Sequence, residues 1–335
     1  MKVGCATPGD GDGETTKASR RIDLPALPEP SFEAPVTNET FEVQTALDAV
    51  SPSPSGDDPD PVVLFENSNT TVEEIRRGCR RRVRKRIRST CIHQAAVQWE
   101  KETRTLSELS HLHIIKAIEW NHADLPIDFA HGGRDLASLR SATDMFDVAI
   151  NLVNVQERIW AHATSALVYL HNEKIIKHCD IKPQNILLSD DHRTGKLCDF
   201  GDARNINEVV KSGGTHFYIA PEFLLSGETS AASDIWALGI TMLFVLNIIP
   251  LPGTESGAEV WQIHKLKDDK VERRKMRKWL NTVTKAIRKI PDKWSPLGEM
   301  LDYDPGTRIT AKELMQKLKK TMVIEKIKQR ALLEA

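Results

Sequence analysis

Residues 178–201 read HCDIKPQNILLSDDHRTGKLCDFG. Two carboxylates, an amide and an ammonium group (Asp180, Asp199, Asn185 and Lys182) lie on either side of a short apolar run and a polar hairpin. Any one of them alone would be read as a turn former, because Asp and Asn in polar stretches usually bond their own backbone. Just upstream, Ile159, Ala163, Ala166, Leu167 and Leu170 form an apolar stripe at helical spacing, so a buried helix leads into the polar cluster.

Three further motifs follow in order: GGTHFYIAPE at 213–222, SDIWALG at 233–239 and DPGTRIT at 304–310. With the first stretch they resemble the signature set of eukaryotic-type protein kinases. The resemblance covers about residues 62–320. It implies a bilobal α+β fold, with a small antiparallel-sheet lobe carrying one helix over 61–128 and a larger helical lobe over 129–322. A C-terminal helical tail over 323–335 completes this division. The implied activity is transfer of the γ-phosphate of ATP to a protein serine or threonine hydroxyl, with Mg²⁺ as the metal. Such a reaction needs few protein groups: a carboxylate to orient the attacking hydroxyl, hard oxygen ligands for Mg²⁺, and cations against the phosphates. By resemblance Asp180 is the base or orienting carboxylate, Lys182 faces the γ-phosphate, and Asn185 with Asp199 bind ATP through the metal. Thr215 and Glu222 fall in the segment that docks the substrate, Asp234 ties down the catalytic-loop backbone, and Arg308 pairs with Glu222. Lys182, two residues after the catalytic carboxylate, is the choice typical of serine/threonine kinases.

The small lobe departs from the pattern. Val62–Phe65 and the stretch from Val72 are strand candidates separated by a polar turn at Asn67–Thr70, and no G-x-G-x-x-G occurs. Residues 75–89 read IRRGCRRRVRKRIRS. One register sets Arg76, Gly78 and Arg81 at the glycine positions, which leaves too little chain for a third strand before Glu102. The preferred register makes Val83-Arg84-Lys85 the strand motif of the ATP-pairing lysine, 17 residues before Glu102. That glutamate is the single carboxylate on the helical face formed by Trp99, Glu102, Leu106 and Leu109. Gln98 mimics the lysine motif but shares a helix with Glu102. In this register Gly78 is a turn residue, and arginines 80, 81 and 82 are expected to stand in for the phosphate-binding amides. Strand-like stretches return at Ile114–Trp120 and Leu125–Phe129 before Gly132-Gly133 breaks the chain. LPIDFAHGG at 125–133 resembles the linker that reads adenine, with Ile127 as gatekeeper and Asp128 to Ala130 in the hinge, which makes Asp128 and Ala130 ATP-binding positions.

Cys179 replaces the arginine that usually precedes the catalytic carboxylate and captures an activation-loop phosphate. Activation-loop phosphorylation is therefore expected to be unnecessary, and Ser212→Ala is expected to keep activity. Cys198 is expected to pack as a small apolar residue behind the nucleotide.

Composition bounds the rest. The chain has 335 residues, 28% charged, with a net charge of -1, so any electrostatic partner must be sought locally. Residues 1–60, rich in Pro, Ser, Gly and acids, bury too little apolar surface to order themselves. The N-terminus lacks a signal-like apolar core and the five cysteines form no metal or disulfide pattern, so a cytoplasmic or nuclear setting is expected. The apolar run Ile235–Ile249 is stopped by Pro250 and reads as a core helix, so no membrane partner is expected. Residues 76–88 hold nine basic side chains but no interleaved aromatics, which argues against nucleic acid and for a solvated strand face. The basic region Lys265–Lys289 reads either as a partner-recruiting insertion or as an exposed helix face. Three functions of different class fit the sequence: an active kinase, a scaffold of the same fold that binds nucleotide weakly or not at all, and a basic binding module.

Overall fold

The computed structural model describes residues 59–147, 155–209, 214–255 and 257–321. These belong to a compact unit spanning 54–335; a second unit, 1–53, lies outside the described residues, as do nearly all of the expected disordered tail, the expected helical tail and Ser212.

The small lobe is a five-stranded antiparallel sheet and one helix. β1 (Val62–Glu66), β2 (Thr70–Arg77) and β3 (Arg80–Ile87) form a meander, and after α1 (Ile92–Ser107) come β4 (Ala117–Trp120) and β5 (Pro126–Ala130), in the order β1-β2-β3-β5-β4. Gly78, at a φ of 59°, turns β2 into β3 in the left-handed region that glycine enters without strain. Alternation along β3 sorts the basic run. Lys85, opposite Ile127 on β5, is buried on the face toward α1, while Arg84 and Arg86 take the other face. Most of these cations have carboxylate partners: Arg81 with Glu74 and Asp190, Arg82 with Glu119, Arg84 with Asp128, Lys85 with Glu102, Arg86 with Glu73, and Arg88 with Glu66.

The larger lobe opens with β6 (Arg134–Asp135), for which Gly133 is essential. A Cβ at Gly133 would lie 1.9 Å from the Leu188 carbonyl oxygen, so only glycine lets the chain pass. Next comes α2 (Val155–Val168), which continues as a π-helical turn over Tyr169–Lys174. Short strands β7 (Ile176–Lys177), β8 (Ile186–Leu188), β9 (Gly195–Leu197) and β10 (Arg204–Asn205) follow, in sheets ordered β6-β8-β9 and β10-β7. Helices α3 (Phe223–Ser226), α4 (Ala231–Val245), α5 (Lys270–Ile287) and α6 (Pro296–Met300) come next, and residues 311–321 are helical. Every residue of α4 from Asp234 to Val245 is buried, and Ser230 with Ser233 form a reciprocal capping box at its start. Its apolar run is therefore core; among the described residues no helix is long and apolar enough to cross a membrane.

Three histidines tie the chain ahead of β4 to α2. His113 stacks on His162 at 3.9 Å, His111 stacks on Tyr169 at 5.0 Å, and the Gly195 amide donates to His162 Nδ1 at 3.1 Å. Burial lowers the pKa of all three, and the neighbouring His113 and Arg158 also act on His162, which falls to about 4. An unfolded histidine titrates near 6.5, so between about pH 6.5 and 4 the unfolded chain binds more protons and stability falls with pH. Discounted for partial exposure, His162 is worth roughly 1–2 kcal/mol over that interval. Thermal unfolding from pH 7.5 to 5 is expected to show the decline, and His162→Asn should flatten it; parallel curves would contradict this assignment.

Candidate active site

Asp180, Lys182 and Asn185 lie on the loop from β7 to β8, and Asp199 on the turn after β9. That loop is anchored from beneath by Asp234, which accepts the amides of His178 at 2.7 Å and Cys179 at 2.9 Å and a ring N–H···O contact from His171 at 2.9 Å. Burial would raise the Asp234 pKa, but the His171 hydrogen bond and the other partners outweigh it and hold it below the usual carboxylate range. Cys179 at a φ of 67° and Asp199 at 64° are non-glycine residues in the left-handed region, and such strain persists where surrounding contacts fix it.

The loop's polar groups bond one another. Asp180 accepts Thr215 Oγ1 at 2.7 Å on one oxygen, and Lys182 Nζ at 2.7 Å and Asn185 Nδ2 at 2.9 Å on the other. Lys182 also donates to Thr215 Oγ1 at 2.9 Å. Thr215 thus puts a hydroxyl against the Asp180 carboxylate, with a cation beside it. Asn185 donates again to the Asp180 carbonyl at 2.8 Å, which fixes the amide orientation and leaves its Oδ1 as a free hard acceptor.

Across the lobes, Lys85 Nζ lies 2.8 and 2.9 Å from the Glu102 oxygens and 2.7 Å from Asp199 Oδ1. Glu102 is fully buried, whereas the Asp199 side chain is 43% exposed and open to the cleft. Burial disfavours the Lys85 charge, yet Glu102 and Asp199 together carry its pKa above the ordinary lysine value. Burial also pushes Asp199 upward, but Lys85 outweighs it and holds the carboxylate at about 2. Glu102 is raised, because burial there exceeds what Lys85 returns. Lys85 thus bonds both acids, and the two differ in direction: Asp199 is lowered and Glu102 raised. The second oxygen of Asp199 and Asn185 Oδ1 suit Mg²⁺, which needs few protein oxygens when phosphates supply the rest. No group of three or more His, Cys, Asp or Glu among the described residues could hold a metal unaided.

The supporting pairs sit deeper. Arg308, with a fully buried side chain, makes 2.8 Å bonds to both Glu222 oxygens and stacks on Trp236 at 5.3 Å. Removing either charge would leave the other buried and unpaired. Cys198 packs against the core, its thiol raised by burial, and burial pushes the Cys179 thiol to about 12, so neither is poised as a nucleophile.

Several positions stand elsewhere than the sequence suggested. In the hinge stretch, whose backbone groups are expected to read adenine, the Ala130 amide instead donates to the Lys116 carbonyl at 2.9 Å, while the Asp128 carboxylate bonds Arg84 at 2.6 and 2.7 Å on the far face of the sheet. Neither group faces Lys85 in this conformation. The arginines do not replace phosphate-binding amides. Arg80, Arg81 and Arg82 sit at the hinge end of β3, with Arg82 opposite Ala130, and Arg81 is bound to Glu74 at 2.8 Å and to Asp190 of the β8–β9 turn at 2.9 Å. Four residues of strand put Arg81 roughly 13 Å from Lys85. The loop at the Lys85 end of the sheet is the Asn67–Thr70 turn, where Asn67 Oδ1 accepts the Asn69 amide at 2.8 Å and the Thr70 amide at 2.7 Å. Replacing Arg80, Arg81 and Arg82 together by Gln is therefore expected to leave ATP affinity within about threefold, since exposed pairs contribute little. A loss above tenfold in a nucleotide titration would put these side chains back at the phosphates.

The sequence reading also missed two contacts. Lys101 Nζ donates to the Gly201 carbonyl at 2.7 Å, pinning α1 to the turn after Asp199, and His178 packs on Phe200 at 4.9 Å. Lys101 adjoins Glu102, which was the only signal for it; the His178–Phe200 contact depends on tertiary folding alone.

Comparison with known proteins agrees with this geometry. A family model described as the protein kinase domain matches residues 72–318. The chain is 34% identical over 162 residues to "Serine/threonine-protein kinase fused" of Drosophila melanogaster, covering 47% of this chain and 18% of the relative. It is 47% identical over 91 residues to "MAP kinase kinase skh1/pek1" of Schizosaccharomyces pombe, covering 26% and 24% respectively. With "Serine/threonine-protein kinase unc-51" of Caenorhabditis elegans it shares 38% over 164 residues, 43% of this chain and 18% of the relative. The matches thus span a quarter or less of these relatives' own lengths.

Proposed function

The chain belongs to the protein kinase family, and we propose that it transfers the γ-phosphate of ATP to serine or threonine hydroxyls of a protein substrate. One observation carries this reading: Asp180, Lys182 and Asn185 bond one another around a threonine hydroxyl while Lys85, Glu102 and Asp199 join the two lobes beside them. In the proposed reaction Asp180 accepts the hydrogen of the attacking hydroxyl in the place Thr215 now occupies and holds that oxygen in line. Lys182 meets the charge developing on the transferred group, and Lys85, set by Glu102, holds the remaining phosphates. Asn185 Oδ1 and the free oxygen of Asp199 would hold Mg²⁺, which when bound neutralises phosphate charge. Placement in the cytoplasm or nucleus, where Cys79, Cys91, Cys179 and Cys198 stay as thiols, accompanies the proposal.

The Asn67–Thr70 turn favours a second reading, that of a scaffold. Two of its amides are already bonded to Asn67, so it offers phosphate less than a glycine loop would. The test is to incubate the purified full chain with Mg²⁺ and γ-labelled ATP on a generic protein substrate, identify the labelled amino acid, and follow the melting temperature. Label on serine or threonine with a raised melting temperature is expected; a raised melting temperature without label would select the scaffold.

A further inference from the structure

We propose that Lys177 is a positioning residue that clamps both ends of the segment carrying Thr215, doing from inside the fold what a captured activation-loop phosphate does from outside; this rests on the kinase reading. Lys177 ends β7, along which Ile176 is half-buried and Lys177 fully buried, at 1% exposure. An inward strand position ordinarily takes an apolar side chain, because a buried ammonium group is costly unless its hydrogens are met. Among the described residues Lys177 has no carboxylate partner; its Nζ donates instead to two backbone carbonyls, those of Glu208 at 2.6 Å and Thr229 at 2.8 Å. Bonds from a charged donor are roughly twice as strong as neutral ones.

The two carbonyls lie on either side of Thr215 in the chain, so one nitrogen closes that stretch into a loop and removes freedom it would otherwise keep. The two ends differ. Thr229 precedes Ser230, the capping residue of buried α4, and Ser233 in the first turn of α4 donates to Glu222 at 3.0 Å, so this end belongs to the core. Glu208 is exposed and follows β10, which pairs with β7 through Arg204 and Asn205 alone. Through Lys177 the exposed end is held to the buried one. The residues after Lys177, His178 and Cys179, give their amides to Asp234, and Asp180 accepts the Thr215 hydroxyl. Clamp and Asp180–Thr215 contact therefore stand on one short anchored loop. Cys179, uncharged where an arginine would capture a phosphate, places its Sγ 3.9 Å from the Thr229 hydroxyl, so the cation at this junction is Lys177.

The test compares the full chain with Lys177→Met, which fills the space without a donor, at a temperature where melting curves show both folded. With casein as the protein substrate, KM for casein is expected to rise roughly tenfold or more while ATP affinity stays within about twofold, because Lys85 bonds Glu102 and Asp199 and not the clamp. A merely structural lysine would lower the melting temperature and leave both constants where they were, which would overturn the proposal. Phosphatase treatment of the parent should leave its KM for casein unchanged; a rise to the variant's value would give the role to a phosphate instead. Should Lys177→Met fail to fold, Lys177→Gln, uncharged and shorter by one atom, weakens both bonds and should show the same split. Hydrogen exchange needs no catalysis: the amides of Ile206 and Glu208, bonded to the carbonyls of Ile175 and Asn205, should exchange roughly tenfold faster or more in the variant. That loosening in a chain that transfers no phosphate would keep the clamp and refute the kinase reading; unchanged exchange would refute the clamp.

Discussion

Asp180→Asn is expected to fold as the parent does and to lose about 10²–10⁴ in kcat. The hydrogen bonds require both halves of this result. Asp180 accepts from Lys182 and Asn185 on one oxygen and from Thr215 on the other. An asparagine can keep its oxygen toward Lys182 and Asn185 and turn its NH₂ toward Thr215, whose hydroxyl can accept as well as donate. No buried group is orphaned, so stability should change by no more than about 1 kcal/mol. The variant then presents a donor where the attacking hydroxyl needs an acceptor. Nucleotide affinity should hold, because Asp180 makes no contact with Lys85 or Glu102. Single-turnover transfer, a nucleotide titration and a melting curve check the three parts. Activity within tenfold of the parent would remove Asp180 from the role.

Lys85→Met should harm both stability and activity, with a pH signature. It removes the cation that faces fully buried Glu102, and an uncompensated buried charge costs roughly 3–5 kcal/mol unless the carboxylate takes a proton. Burial already raises the Glu102 pKa, and loss of Lys85 raises it further. A group whose folded pKa exceeds its unfolded value favours the fold at low pH and loses that advantage as pH rises through the folded value. The deficit relative to the parent should therefore be small near pH 5 and larger near pH 8. Lys85→Met/Glu102→Gln should recover most of the stability and none of the phosphate transfer. A pH-independent deficit in denaturant unfolding would show that Glu102 carries no charge in the parent.

The larger lobe was legible because its motifs are short local patterns that follow one another in a fixed order along the chain. Lys182 and Asn185 bond Asp180, the Cys198 amide beside Asp199 donates to the Asn185 carbonyl at 3.0 Å, and Glu222 and Arg308, far apart in the chain, close on each other. The small lobe was legible mainly through chain length: 17 residues from Lys85 to Glu102 fit a strand end, a turn and helix entry, and the pair forms. What stayed hidden depended on strand alternation and turn chemistry. Gly78 is the turn residue that the preferred register makes it, but the arginines beside it were expected at the phosphates, whereas antiparallel pairing puts that turn at the hinge end and gives the Lys85 end to Asn67–Thr70. Composition could not say which face Asp128 would take; its pairing with Arg84 follows from being directly opposite it on the neighbouring strand.

The most direct test is the structure of the full chain with Mg²⁺ and a non-hydrolysable ATP analogue. The account predicts a metal about 2.1 Å from an Asp199 oxygen and from Asn185 Oδ1, with Lys85 against the inner phosphates and Asp180 within hydrogen-bond reach of the accepting position. Nucleotide bound without metal, or with Asp199 and Asn185 turned from the triphosphate, would contradict it.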